Sequence, residues 1–147
     1  MTIDAAFDET EDASNQWRGS GRVVVLSPDL FFGMRIRTSL RQLGYVVAIA
    51  KDAESFHALL SDVSDRAVLA LVDFNTPMDW TELDRAMSAG IPVVAFGPHT
   101  DVEGFRAAKA AGVARVVSNG EFSRSLPALA KRHSLQEASD RSEPTGP

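Results

Sequence analysis

Residues 69–80, "LALVDFNTPMDW", carry four apolar residues straight into Asp73 and then into Asn75, Pro77 and Asp79. A short apolar run closed by turn-forming residues reads as a buried strand whose tip is a carboxylate. With Ala67 and Val68 in front, that strand covers 67–73. The sheet it joins and the work of Asp73 at its tip are read from what lies on either side.

Upstream, "VVVL" (23–26) reads as the first strand. A helix over 28–43 follows, with Leu30, Phe31, Met34, Ile36, Leu40 and Leu43 at spacings dominated by three and four, and Gly44 stops it. Of the adjacent Phe31 and Phe32, the favoured reading gives both to a broad buried stripe; the other makes one a partner-facing aromatic. "YVVAIA" (45–50) is the second strand, and Asp52 caps a helix carrying Ala53, Phe56, Leu59, Leu60 and Val63 on one side. Downstream, Asp79 and Glu82 have the capping-box spacing and open a third helix that Gly90 ends. "PVVAF" (92–96) is the fourth strand. Thr100 and Glu103 open a fourth helix that Gly112 ends. "RVV" (115–117) is the fifth strand, and a last helix runs from about Ser125 to His133.

Strands alternating with single helices define βα units around a parallel sheet. Strand runs without polar alternation fit a sheet covered on both faces. Five units in one stretch predict a single-domain α/β fold, flavodoxin-like and doubly wound, with strand order 2-1-3-4-5. In that topology ligands bind at the carboxyl ends of the strands. The candidate crevice is therefore Ser27, Pro28 and Asp29 after the first strand, Asp73, Asn75 and Pro77 after the third, Gly97, Pro98 and His99 after the fourth, and Ser118 and Asn119 after the fifth.

Of the 147 residues, 44% are apolar and 24% charged, ordinary for a soluble globular chain. There is no Cys, hence no thiolate metal site, and His57, His99 and His133 have no ligand spacing. No apolar run approaches the ~20 residues that span a bilayer, and the N-terminus lacks the order of a signal peptide. A cytoplasmic protein with no membrane partner is expected. The net charge of −5 is uneven: residues 1–21 carry −4, residues 134–147 carry −2, and 22–133 carry +1. Both ends read as disordered tails, 1–21 and 134–147, flanking a domain over 22–133. A core so near neutrality does not suit nucleic acid.

Over 22–133 the chain resembles the receiver domain of two-component response regulators. The resemblance rests on "VDFNTP", similar to the family's phosphoacceptor stretch, on "RQLGY" closing the first helix, on "IPVVAF", and on "AAKAAGVARVV" leading into the fifth strand. It implies phosphorelay signalling, with Asp73 at the phosphoacceptor position. The family's partner residues do not carry over. Ser27 and Pro28 stand where two acids hold magnesium, Gly97 where a Ser or Thr orders around the phosphoryl group, and Ser118 or Asn119 where a Lys pairs with phosphate. Arg115 or Val116 stands at the family's switch aromatic. "DFNT" is also similar to the nucleophile motif of haloacid dehalogenase-like phosphatases, but Asn75 replaces its second Asp and the strand is third, not first.

Three roles are open to Asp73: a turn former bonding amides two residues on, a phosphoacceptor, or a polar contact for a partner or ligand. "SPDL" reads as a plain helix start, with Ser27 as N-cap, Pro28 as first helical residue and Asp29 in the first turn; the competing reading is a residual metal site of Asp29 with Asp73. The leading expectation is a stand-alone, non-enzymatic pseudo-receiver without cofactor that acts by protein–protein interaction. The alternatives are a genuine single-domain regulator phosphorylated on Asp73 with magnesium, and a small-ligand sensor using the altered crevice. The resemblance also points to an interaction face of Arg106, Lys109, Arg115, Arg124, Lys131 and Arg132. It suits an acidic protein partner, the chain's own N-terminal tail being one candidate and a second copy forming a homodimer another.

Overall fold

A computed structural model describes residues 18–135. Five strands, β1 (Arg22–Leu26), β2 (Val46–Ala50), β3 (Ala67–Asp73), β4 (Val93–Gly97) and β5 (Arg115–Ser118), form one parallel sheet in the order β2-β1-β3-β4-β5. The helices are α1 (Leu30–Gln42), α2 (Ala53–Leu60), α3 (Asp84–Ser88), α4 (Val102–Ala111) and α5 (Asn119–His133). This is the expected doubly wound order.

The two-residue period of a strand divides the core. Val23, Val25, Leu69, Leu71, Val94 and Phe96 face α1 and α5. Val24, Leu26, Ala70, Val72 and Val93 face the other way, with Phe56, Leu83 and Ala86. The same alternation sends Asp73 towards α1 and α5, and Phe74 towards α4. Register aligns the tips: Leu26 pairs with Val72, Asp73 with Phe96, and Gly97 with Ser118.

Several expected boundaries move. Asp29, not Ser27, caps α1, accepting from Phe32 N at 3.1 Å. Ser27 is buried, so the exposed carboxylate two residues nearer the helix is the available cap. Asp101, not Thr100, caps α4, accepting from Gly104 N at 2.9 Å. The third helix is a 3₁₀ turn, Trp80–Leu83, followed by the short α3. A 3₁₀ turn aligns residues three apart, and it sets Trp80 and Leu83 on one core cluster. The last helix begins at Asn119, six residues before the expected start, because Ser118 Oγ accepts from Glu121 N at 3.1 Å.

The first-helix stripe is also corrected. Gly33, Ile36 and Leu40 are its buried face, whereas Leu30, Phe31 and Met34 are 65, 84 and 45% exposed. Counting 100° per residue, Phe31 points away from the sheet. The domain edges widen: Gly19 is buried with its N–H bonded to Leu43 O, Ser134 is buried, and Leu135 N donates to Val68 O. The expected disorder of the ends otherwise concerns 1–17 and 136–147, outside the described residues. No described helix is long and apolar enough to cross a membrane.

Candidate functional site

At the strand tips a crevice of about 440 Å³ opens between β1, β3, α1 and α5. Its lining includes Pro28, Asp29, Asp73, Asn75 and Asn119 from the expected set, and adds Phe32, Arg35, Gly120 and Ser123. Ser27, Pro77, Gly97, Pro98 and Ser118 do not line it. Ser27 Oγ sits 3.3 Å from the backbone N of Asp29, and Ser118 is spent on capping α5.

Asp73 Oδ1 accepts from Asn75 N at 2.9 Å, an Asx-turn that closes the chain over the strand tip. Its backbone O accepts from Thr76 N. Burial pushes the Asp73 carboxyl above its ordinary value of 3.8; the Asn75 amide pulls the other way, and the charge of Asp29 adds to the rise. No cation is among the groups acting on it.

Arg35, Gly120 and Ser123 went unseen in the sequence. Arg35 stands three residues beyond Phe32 and six beyond Asp29, one stripe of α1 along the crevice, with its guanidinium 5.2 Å above the Phe32 ring. A cation therefore borders the crevice where none was expected, yet it is not among the charges that shift Asp73. Gly120 and Ser123 enter because α5 starts early; the Ser118–Glu121 capping spacing was the missed signal.

Gly97 is on the opposite face. A Cβ built there would lie under 3.0 Å from three atoms of the Phe74 ring, and one built at Gly104 would meet the same ring. Phe105 holds its outer side edge-on, with centroids 5.3 Å apart at 77°. Phe74 thus fills the slot that a side chain at 97 would need.

The fit of magnesium follows from these contacts. It demands near-octahedral oxygen ligands, usually one or two carboxylates with waters and substrate oxygens. Only Asp29 and Asp73 line the crevice as carboxylates, each already accepting a backbone N–H. Pro28 offers no side-chain ligand. Among the described residues no group of three or more His, Cys, Asp or Glu can hold a metal. The donor set does not fit a magnesium-dependent transfer centre.

A carboxyl whose pKa is raised by folding binds protons more tightly in the native state, so stability falls as pH rises from the unfolded value through the folded one. Asp73→Asn removes that charge and keeps an oxygen for the Asn75 amide. The variant is expected to be more stable than wild type at neutral pH, and the difference to shrink near pH ~4, where wild-type Asp73 is partly protonated. Urea unfolding at both pH values measures it; a variant less stable at neutral pH would reject this account.

No protein-family model matches the sequence, and no curated protein matches it. Solved structures do. The response regulator receiver domain protein (CheY-like) from Methanospirillum hungatei JF-1 superposes with TM-score 0.67 at 21% identity, over 78% of this chain and 93% of that one. The orphan response regulator HP1043 of H. pylori gives 0.62 at 21%, over 78% and 94%. NtrX from Brucella abortus, in complex with ADP, gives 0.66 at 20%, over 86% of this chain; the chain spans 29% of NtrX. The fold is that of CheY-like receiver domains.

Proposed function

We propose that the chain is a receiver-like signalling module that works by protein–protein interaction without phosphorylation of Asp73. The observation that carries this reading is the Phe74 ring seated on Gly97 and Gly104. A side chain at position 97 requires the Phe74 ring to shift, and that ring is wedged between β4 and α4. Phosphoryl transfer to a carboxylate depends on positioning and on positive charge against the transferred oxygens. Here Asp73 accepts the Asn75 amide and shares its crevice with a second carboxylate, Asp29, and with one cation, Arg35, whose guanidinium lies over the Phe32 ring.

The proposed contact surface for an acidic partner is the α4–β5–α5 side. Arg106 pairs with Glu103 at 2.7 Å and Arg115 with Glu121 at 3.1 Å, which leaves exposed Lys109, Arg124, Lys131 and Arg132 as the cations of this side without an ion pair among the described residues. A second reading, a regulator phosphorylated on Asp73, draws on one observation: Asp29 and Asp73 share the crevice and repel each other, with Arg35 beside them.

Intact-mass spectrometry after incubation with acetyl phosphate and millimolar magnesium separates the two. No mass increase is expected. A gain of one phosphoryl group on wild type that is absent from Asp73→Asn would overturn the proposal and establish the second reading.

A further inference from the structure

A second groove, of about 510 Å³, runs between α1 and the open edge of β2. β2 is an edge strand paired with β1 alone, so its outer N–H and C=O groups face outward. Val47 to Lys51 form one wall and Leu30, Met34 and Arg37 line the other. Leu30, Met34, Arg37 and Arg41 are spaced four, three and four, one stripe down the helix. The stripe is apolar at the top and basic at the bottom. α1 carries Arg35, Arg37 and Arg41 and no acid. None of the three forms an ion pair among the described residues, and the Arg37 Nε is buried without a hydrogen-bond partner.

The chain enters the described fold at the foot of this groove. Gly19 N donates to Leu43 O at 2.8 Å, and Val46 N donates to Gly21 O at 2.9 Å. Gly44 adopts φ +111, and a Cβ there would strike the Gly19 carbonyl, so the entry strap lies directly on the start of β2. The segment before it, residues 1–17, carries Asp4, Asp8, Glu9, Glu11 and Asp12 with no Lys or Arg, and apolar Ile3 and Phe7.

We propose that residues 1–17 occupy the α1–β2 groove of their own chain. The order of chemistry matches. Read backwards from Arg18, the acidic run Asp12–Asp8 comes first, as do Arg41, on the helix below the groove, and Arg37, in its wall. Phe7 comes next in order, as does the apolar end at Leu30 and Met34, and Asp4 comes last, as does Lys51. The stripe from Arg41 to Leu30 is about 16 Å long at ~1.5 Å per helical residue. Seventeen residues at ~3.3 Å each cover that with slack. Tethering supplies the high local concentration that lets modest charge pairing act. The α4–α5 side is a poorer home for this segment, since two of its arginines already have acidic partners.

The chain has no Cys, so Thr10→Cys in the full-length protein takes a single spin label. Amide signals of Leu30, Met34 and Val47–Ala50 are expected to be strongly attenuated, and those of Lys109 and Arg124 unaffected. Replacing Asp8, Glu9, Glu11 and Asp12 by their amides is expected to abolish the attenuation, as is raising salt to about 1 M, where screening reaches ~3 Å. Attenuation on α4 and α5, uniform attenuation, or insensitivity to both changes would overturn the proposal. So would attenuation that appears only when labelled and unlabelled chains are mixed, which would make the occupant a second copy.

Discussion

Gly97→Ala is expected to lower stability by about 2–3 kcal/mol, although Ala ordinarily improves on Gly within a strand by about 0.5–1 kcal/mol. The added methyl would lie under 3.0 Å from the Phe74 ring. That ring is flanked on two sides: Gly104 is against it on the helix side, and Phe105 meets it edge-on at 5.3 Å. Either the ring leaves its rotamer or β4 and α4 separate, and both disturb close packing. Phe74→Ala alone is expected to cost about 2 kcal/mol, less than a fully buried Phe because the residue is half-buried. With the ring gone, Gly97→Ala is expected to cost nothing further, a coupling of about 2–3 kcal/mol in the double-mutant cycle. Urea unfolding of the four proteins measures it. Equal costs of Gly97→Ala in both backgrounds would show that Phe74 is not what closes the slot. The magnitude bears on the proposed function, because the resemblance to receiver domains sets position 97 where the family has a Ser or Thr.

The fold was legible from local signals. β-branched runs, helical spacing and stopping glycines each report on a few residues, and the alternation of strands with helices turns them into one topology. The site was legible where it followed from that topology: Asp73, Asn75, Asp29 and Asn119 meet because strand tips align. It failed where the deciding contact is tertiary. Gly97 read as a missing hydroxyl, and nothing nearby in sequence says that Phe74 fills its place. Arg35 was invisible because its relevance depends on where α5 begins. That start was misplaced in turn, since "SRSLP" offers a Ser followed by a Pro and imitates a helix opening, whereas Pro127 lies inside α5. Phe31, Leu30 and Met34 fit a helical spacing, yet spacing alone does not say which side of a helix meets the sheet. Their exposure shows it belongs to Gly33, Ile36 and Leu40.

Arg22→Met is expected to cost about 2–3 kcal/mol while leaving the crevice and the α1–β2 groove intact. Arg22 opens β1 at the end of the sheet away from the strand tips, and it is 6% exposed. Its guanidinium donates to Leu59 O at 2.8 Å and to Asp65 O, and its Nε lies 3.1 Å from the Asp65 carboxylate. One side chain thus ties the end of α2 and the turn before β3 to the first strand. Met keeps the apolar stem but leaves two carbonyls without their donor, at about 1–3 kcal/mol for each that stays dry. The Asp65 carboxylate is 61% exposed, so it returns to water and adds little, unlike the partner of a fully buried pair. A loss below about 0.5 kcal/mol in urea unfolding would mean that water replaces the guanidinium at both carbonyls. The expected loss makes Arg22→Met the control for every binding test proposed above. A surface role for α1 or α4 predicts binding unchanged in this variant, whereas an apparent role that only reflects stability predicts that binding falls with the fold.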